Sequence, residues 1–486
     1  MQLRVCNSCV LAGTLSLFFL TVAPAAAQFH KQTNLVSDIS STAHMVVDPL
    51  LVNPWGVSFG AMTPFWVSDQ GTNTSTLYSV DGTTGAVAKI PLNVTIPASP
   101  SGQVANATMG FVVSKAGASG PAKFIFAGLN GTISGWNPAV PAPPPSPSMQ
   151  AVLAATGTPP PVAYTGLALA QASSGLLLYA ANNAPPGRID VFDETFTKIS
   201  VTGTFTDPSL PPGDTPFNLV NIGNRLYVTY SGPVGVVDIF SPDGIFISRL
   251  ATGGTLANPW GVALAPANFG EFSNAILVGN FNFGNPAMGP GHISAFDAKG
   301  NFLGLLEDTT GAPISIDGLW TLTFGNDHGA GSNGVLYFSA GIENQHHGLF
   351  GSLDACGGPD ITGASASPNS LWPPNHKMVP VTIGYTVSDN CDPAPSCSLS
   401  VSSNEGEGGG SGHTSPDWTV LDTHHVDLRA ERAGTGDGRV YTVTISCQDK
   451  SGLSSTASTT VTVVHDQGKG SGNGNGRGNG KGKGKH

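Results

Sequence analysis

Gly187-Arg-Ile-Asp-Val-Phe-Asp193, Gly235-Val-Val-Asp-Ile-Phe-Ser241 and Gly291-His-Ile-Ser-Ala-Phe-Asp297 are three copies of one seven-residue pattern. Looser copies stand at Ser75-Thr-Leu-Tyr-Ser-Val-Asp81, Gly131-Thr-Ile-Ser-Gly-Trp-Asn137 and Gly348-Leu-Phe-Gly-Ser-Leu-Asp354. The six starts are 56, 56, 48, 56 and 57 residues apart. A fixed period of this size marks a repeat architecture in which each unit buries its apolar face against the next. A second pattern, Gly followed by an apolar run, begins at Gly56, Gly110, Gly166, Gly261 and Gly318, with Asn218 in the fourth repeat. Two of its copies share Asn-Pro-Trp-Gly-Val, at 53–57 and 258–262.

Between the two patterns each repeat carries a further strand-like run: Phe65-Trp-Val, Phe124-Ile-Phe, Leu176-Leu-Leu-Tyr, Leu226-Tyr-Val, Ile276-Leu-Val and Val335-Leu-Tyr-Phe. Most are rich in β-branched or aromatic residues and bounded by turn formers. A fourth follows the seven-residue pattern, as in Val201-Thr-Gly-Thr-Phe, Phe246-Ile-Ser-Arg-Leu and Phe302-Leu-Gly-Leu-Leu. Four strands in about 50 residues make one propeller blade, so residues 28–355 are expected to form a six-bladed β-propeller. A sandwich array or solenoid of the same period is the alternative. The innermost strands crowd the axis, which accounts for Gly at five of the six equivalent positions. The sixth repeat lacks a fourth strand of its own, and Asn34 to Ile39 are expected to supply it, covering an otherwise open edge. Pro138–Pro147 and Pro208–Pro216 cannot lie inside central strands and are expected as surface loops.

From 361 to 465 the pattern changes to long alternating strands, such as Met378-Val-Pro-Val-Thr-Ile-Gly-Tyr-Thr-Val and Arg439-Val-Tyr-Thr-Val-Thr-Ile-Ser-Cys. Their size and spacing predict an immunoglobulin-like β-sandwich, without the Cys-Trp-Cys arrangement of antibody domains. Glu405–Gly412 reads as a connecting loop. Residues 466–486 alternate Gly, Asn, Lys and Arg and are expected to be a disordered basic tail. The fold class is therefore all-β: a six-bladed propeller, then the sandwich, then the tail.

Residues 1–27 have the three parts of a cleaved secretory signal peptide: Arg4, an apolar stretch from Val10 to Val22, and Ala25 to Ala27 before Gln28. The expected location is secreted or at the cell surface. Cys6 and Cys9 would leave with the signal. Cys356, Cys391, Cys397 and Cys447 remain, and an even number in an exported chain favours disulfides. Three connectivities exist; Cys391–Cys397 with Cys356–Cys447 is preferred because the first pair closes a short loop.

Of the 486 residues only 10% are charged, against roughly 25% in an ordinary domain. Residues 28–465 hold 14 Lys/Arg against 30 Asp/Glu. An acidic body argues against nucleic acid as a partner of the propeller. Residues 34–354 resemble an uncharacterised family of secreted bacterial six-bladed propellers with NHL-like repeats, through the Asn-Pro-Trp-Gly-Val and Gly-x-Ile-x-x-Phe-Asp segments. Leu371-Trp-Pro-Pro-Asn-His-Lys377 through Asp449-Lys-Ser-Gly452 resembles an Ig-like module found at the ends of bacterial extracellular proteins. The resemblance implies protein or nucleic-acid binding in general style and carries no catalytic residues.

No His-Glu-x-x-His, Gly-x-Ser-x-Gly, phosphate loop or dinucleotide fingerprint occurs in the chain. Loops that lead into the innermost strand, and loops joining the second and third strands, fall on one face of a propeller. They carry Asn53, Asn258 and Asp317, and Asp69, Asn130, Asn183, Asn280 and Glu343, which form a candidate ligand site at the channel mouth. Their oxygens would suit Ca2+, which takes six to eight oxygen ligands. Asn and Asp at strand ends also satisfy turns, and that is the favoured explanation. Glu343-Asn-Gln-His-His347 with Asp327 and His328 is the His-rich patch, making Asp69, Asp317, Glu343 and His346 the candidate metal ligands. Asp81, Asp193, Asp297 and Asp354 recur with the blade and are assigned to structure. The expected function is a noncatalytic binding or scaffold protein whose propeller is a platform for an extracellular polysaccharide or cell-surface protein. The alternative is an extracellular propeller hydrolase or lyase with a metal at the channel mouth.

Overall fold

Each seven-residue motif becomes the third strand of a blade in the computed structural model, which describes residues 29–42, 45–143, 145–281, 291–408, 414–434 and 438–464. Five blades are four-stranded antiparallel sheets, and the sixth carries a fifth strand, Val46–Val47, parallel to His30–Ser37. The expected signal peptide and basic tail, and part of the Glu405–Gly412 loop, lie outside the described residues. The third blade is representative, with Tyr164–Ala172, Gly175–Asn182, Arg188–Phe192 and Lys198–Ile199 paired in sequence order. The innermost strands of the six blades are Pro54–Ser58, Pro100–Ala105, Tyr164–Ala172, Thr215–Ile222, Pro259–Leu264 and Leu319–Phe324. Every one of them is the end strand of its sheet.

Six apolar clusters each join two successive blades. Trp66 and Leu77 meet Phe124 and Phe126 between the first and second, and Ile125 and Ile133 meet Leu178 and Phe192 between the second and third. Tyr179 meets Leu219 and Val228 between the third and fourth, and Val237 meets Val262 and Val278 between the fourth and fifth. Leu277 and Ile293 meet Phe338 between the fifth and sixth. Phe350 and Tyr337 of the sixth pack on Phe65 and Tyr78 of the first. Six interfaces for six blades close a ring; a solenoid or linear array of six units has five.

His30–Ser37 completes the sixth blade by pairing antiparallel with Leu349–Ala355, from His30 opposite Ala355 to Ser37 opposite Leu349. Leu35 and Val36 are buried there, and the Ser37 hydroxyl donates to the Gly348 carbonyl 311 positions away. His30 is buried between the chain end and the rings of Phe269 and Phe272, with centroids 5.0 and 6.1 Å away. Neither ring nitrogen has a hydrogen-bond partner among the described residues. Burial holds its pKa at about 4, against 6.5 for a free imidazole. The folded state therefore binds fewer protons than the unfolded one between these values. Stability is complete above pH 6.5 and falls as the pH drops toward 4, by about 3 kcal/mol in all at 1.36 kcal/mol per unit. Replacing His30 with Leu removes the titrating ring. In denaturant titrations from pH 7 to 4, His30→Leu should lose correspondingly less stability than the parent; parallel losses would show that His30 does not titrate with folding.

Three assignments are corrected. The innermost strand of the second blade is Pro100–Ala105, so the glycine equivalent to Gly56 is Gly102, not Gly110. Residues 106–123 are an insertion holding the hairpin Val112–Lys115/Ala118–Pro121, whose Gly-Phe-Val-Val start imitates a blade strand. In the sixth blade Thr321 takes the position and Gly318 is a turn residue with φ +62°. Gly thus fills four of six inner positions. In the third blade the fourth strand is Lys198–Ile199 and not Val201–Phe205. Gly203 and Phe205 donate instead to the carbonyls of Asp243 and Gly244 in the fourth blade. Residues 138–147 connect the third and fourth strands of the second blade, as expected of the Pro-rich run.

After the ring, Asp360–Ser367, Met378–Ser388, His425–Arg429 and Trp418–Val420 pair in that order. Ser370–Leu371, Ser454–Val464, Gly438–Gln448 and Ser396–Ser403 make a second sheet. Val381, Ile383, Val426 and Leu428 of the first face Tyr441, Val443, Ile445 and Val461 of the second across one apolar core. The preferred disulfide pairing is corrected to Cys356–Cys391 and Cys397–Cys447. Cys397 lies directly opposite Cys447 on neighbouring strands, with Cα atoms 4.1 Å apart. Cys391 sits beside Asn390, whose side chain bonds Ala355 and Gly357 at the end of the propeller. Strand register outweighs the advantage of closing a short loop. Non-reducing peptide mapping should recover these two pairs and no Cys391–Cys397 peptide.

Candidate functional site

The two Asn-Pro-Trp-Gly-Val segments have one structural logic. Asn53 and Asn258 take positive φ values of 46° and 45°, which Asn tolerates better than most residues, and turn the chain into the inner strand. Gly56 and its equivalents let successive strands approach: a Cβ on Gly56 would lie 2.5 Å from the Ser101 carbonyl oxygen, and one on Gly102 2.5 Å from the Leu167 nitrogen. The Trp between them points across the axis. Trp55, Trp260, Trp320 and Phe217 occupy the same position in four blades, and with Phe281 they form a buried layer. Trp320 stacks between Trp55 at 3.7 Å and Phe281 at 4.0 Å, with Trp260 edge-on at 5.7 Å.

This layer closes the channel at the face where sequence reading put the ligand site. Asn53 supports the layer: its Oδ1 accepts from Trp320 Nε1 at 3.1 Å, and its Nδ2 donates to Gln70 and Gln345. Asn130 Oδ1 accepts from Thr132 in a turn. Asn183 Nδ2 donates to Thr215, Pro216 and Ser231 of the next blade. Asn258 accepts from the Gly232 amide, while buried Asn280 accepts from Ala257 and donates to His292. These bonds tie loops and blades together.

The candidate metal ligands do not converge: among the described residues no group of three or more His, Cys, Asp or Glu stands close enough to hold a metal ion. Asp69 is fully buried at the end of its strand and accepts from Thr74 and Thr76. Burial pushes its carboxyl well above the usual range. Asp317 caps the Glu343 backbone amide at 2.8 Å. The side chain of Glu343 is exposed, and His346 Nδ1 meets the Glu343 carbonyl. His347 is held by Asp38 at 2.7 Å, which raises its pKa. The His-rich patch is also split by the fold. Asp327 and His328 lie in the turn after Leu319–Phe324, whereas residues 343–347 follow the antiparallel return strand Leu336–Ala340, at its opposite end.

Beyond the aromatic layer a cavity of about 510 Å³ runs between the inner strands to their far ends. Sequence reading missed it. Its signal was the aromatic residue recurring one position before Gly56, Asn218, Gly261 and Thr321, which marks which end of the channel is closed. Side chains zip the ring around it: Gln103 donates to the carbonyls of Gly56 and Trp66, Asn218 to Trp260, Asn221 to Leu169 and Thr321 to Trp55. None of the residues lining the cavity is titratable. Buried carboxylates elsewhere are answered within their blades, Asp48 by Lys89 and Tyr78, Asp190 by Arg188 and Tyr164, and Asp238 by Arg249.

No protein-family model matches the chain. An uncharacterized protein of Acanthamoeba polyphaga mimivirus is 31% identical over 326 residues, covering 63% of this chain and 76% of that protein. A second uncharacterized protein of the same virus is 31% identical over 327 residues, covering 63% and 81%. The chain belongs to the family of these mimivirus proteins. Its membership in this mimivirus family replaces the bacterial family expected from the motifs. Among solved structures, the family member described here is similar to a β-propeller domain from Myceliophteria thermophila at 13% identity. That match covers 61% of this chain and 82% of that one with a TM-score of 0.36. It is also similar to a streptogramin B lyase at 12% identity, covering 68% and 100% with a TM-score of 0.34. At these scores nothing of either protein's activity transfers to the mimivirus family.

Proposed function

We propose that this chain is an exported, noncatalytic binding or scaffold protein whose propeller channel is the ligand platform and whose second domain is an immunoglobulin-like spacer. The observation that carries it is the channel itself: closed at one end by the Trp55–Trp320–Phe281 stack, open at the other, and lined without a titratable side chain. No described residue lining the cavity carries a side chain suited to general acid or general base work. Export is supported by the two disulfides, which persist in oxidising compartments. No helix among the described residues is long and apolar enough to cross a membrane.

Purified mature protein incubated with lactone, polysaccharide and phosphoester substrates should show no turnover above buffer. Sustained turnover abolished by Glu343→Ala or Ser58→Ala would overturn the reading.

A further inference from the structure

The six innermost strands are all end strands, so each presents toward the axis one row of backbone N–H and C=O groups that no further strand pairs. Side chains answer some of them, the carbonyls of Trp55, Gly56, Leu169 and Trp260 among them. Between the aromatic floor and the rim these rows surround the cavity from six directions. Among them Gln103 is 6% exposed and lines the space. Its Nε2 is committed to the Gly56 and Trp66 carbonyls, which fixes the amide orientation and leaves Oε1 buried without a partner. Ser58, another lining residue, likewise keeps its Oγ buried and without a partner. The polar groups that face the space are the strand-edge amides and carbonyls and the more exposed side chains of Asn221 and Thr323. The rim is apolar, formed by Phe59, Ile222, Phe324 and Leu264, the last 47% exposed.

We infer that the channel binds a short neutral saccharide, or the uncharged end of a glycan chain, held between the inner strands with its hydroxyls directed at the surrounding strand edges. This rests on the channel being the ligand platform. The lining has no charge to neutralise an ionic ligand, and an ion taken from water into it would lose hydration without compensation. An extended peptide carries its hydrogen-bonding rows on two sides and pairs with at most two of six edges. A sugar ring carries hydroxyls around its whole circumference, each both donor and acceptor, so it can answer N–H and C=O groups alike. Its C–H faces suit the apolar rim. A volume of about 510 Å³ lies within the range of about 300–1,000 Å³ found for small-ligand sites.

The full mature chain is applied to an array of neutral glycans, acidic glycans and uncharged peptides, and hits are measured by calorimetry and tryptophan fluorescence. Two variants accompany it. Thr323→Val removes a partly exposed lining hydroxyl at nearly constant shape, so the fold is kept while saccharide affinity should fall roughly 2- to 10-fold, the loss of one hydrogen bond. Leu264→Trp adds bulk to an exposed rim residue and should abolish binding. Neutral glycans that bind and respond to both variants are the expected result. Binding of only acidic glycans or peptides, lost in Leu264→Trp, overturns the saccharide assignment and leaves the channel platform standing. If no probe binds, or if binding ignores both variants, the channel platform falls as well.

Discussion

Deleting residues 29–37 should lower the melting temperature by on the order of 10 °C and convert the monomer into soluble oligomers. The segment supplies the outer strand of the sixth blade and buries Leu35 and Val36 against Phe350 and the first blade. Each such side chain contributes about 1.5–3 kcal/mol. The strand also satisfies seven paired positions along Leu349–Ala355. Its removal loosens the contact between first and last blades and bares a flat strand edge, which recruits other chains. Differential scanning calorimetry with light scattering on the parent and the truncated chain reads both effects. A truncated protein that melts with the parent and stays monomeric would mean that the blade clusters alone hold the ring shut.

Trp320→Ala should cost about 3–5 kcal/mol, the range for emptying a large aromatic site in a packed core. Trp320 is 1% exposed and is the centre of the layer, stacked on both sides and donating to Asn53. The substitution separates Trp55 from Phe281, strands the Asn53 carbonyl oxygen and opens the channel from end to end. Urea titration measures the cost. Acrylamide quenching of the remaining tryptophans measures the opening, which should raise the accessible fraction. A loss below about 1 kcal/mol, within the ordinary scatter for surface substitutions and small repackings, would show that the layer collapses to fill the gap and is not what closes the channel.

The ring was readable from the sequence because the third strand of each blade combines three independent demands. A Gly or Ser begins the strand, alternate apolar residues pack between blades, and an Asp, Asn or, in the fourth blade, Ser241 ends it. Asp81, Asp193 and Asp297 each accept two or more backbone amides there. Asp354 departs from the pattern because the chain does not turn after it; it faces Lys31 of the closing strand instead. The inner strand was harder to place in the second blade, where Met109-Gly-Phe-Val-Val carries the same local signal as a true blade strand and only the tertiary position of Gly102 separates them. The role of the Asn and Asp residues at strand ends was hard to read for a different reason. Asn and Asp at strand ends look alike whether they bind a ligand or cap a turn, and the difference lies in which mouth the tryptophans fill. That depends on the side-chain direction of Trp55, Trp260 and Trp320, a property of the bulged start of each inner strand.

Because His30 pairs with Ala355, a ribosome must finish nearly three-quarters of the polypeptide before its opening strand meets its antiparallel partner. Blades can form pairwise interfaces as they emerge, but the loop that must be closed last is also the longest. Until then the nascent molecule is an unsealed crescent with two bare ends, prone to joining its neighbours. Synthesis past Ala355 is thus the event that lets the ring close, and any process that must thread the chain through a narrow pore gains a long interval in which it has not yet locked.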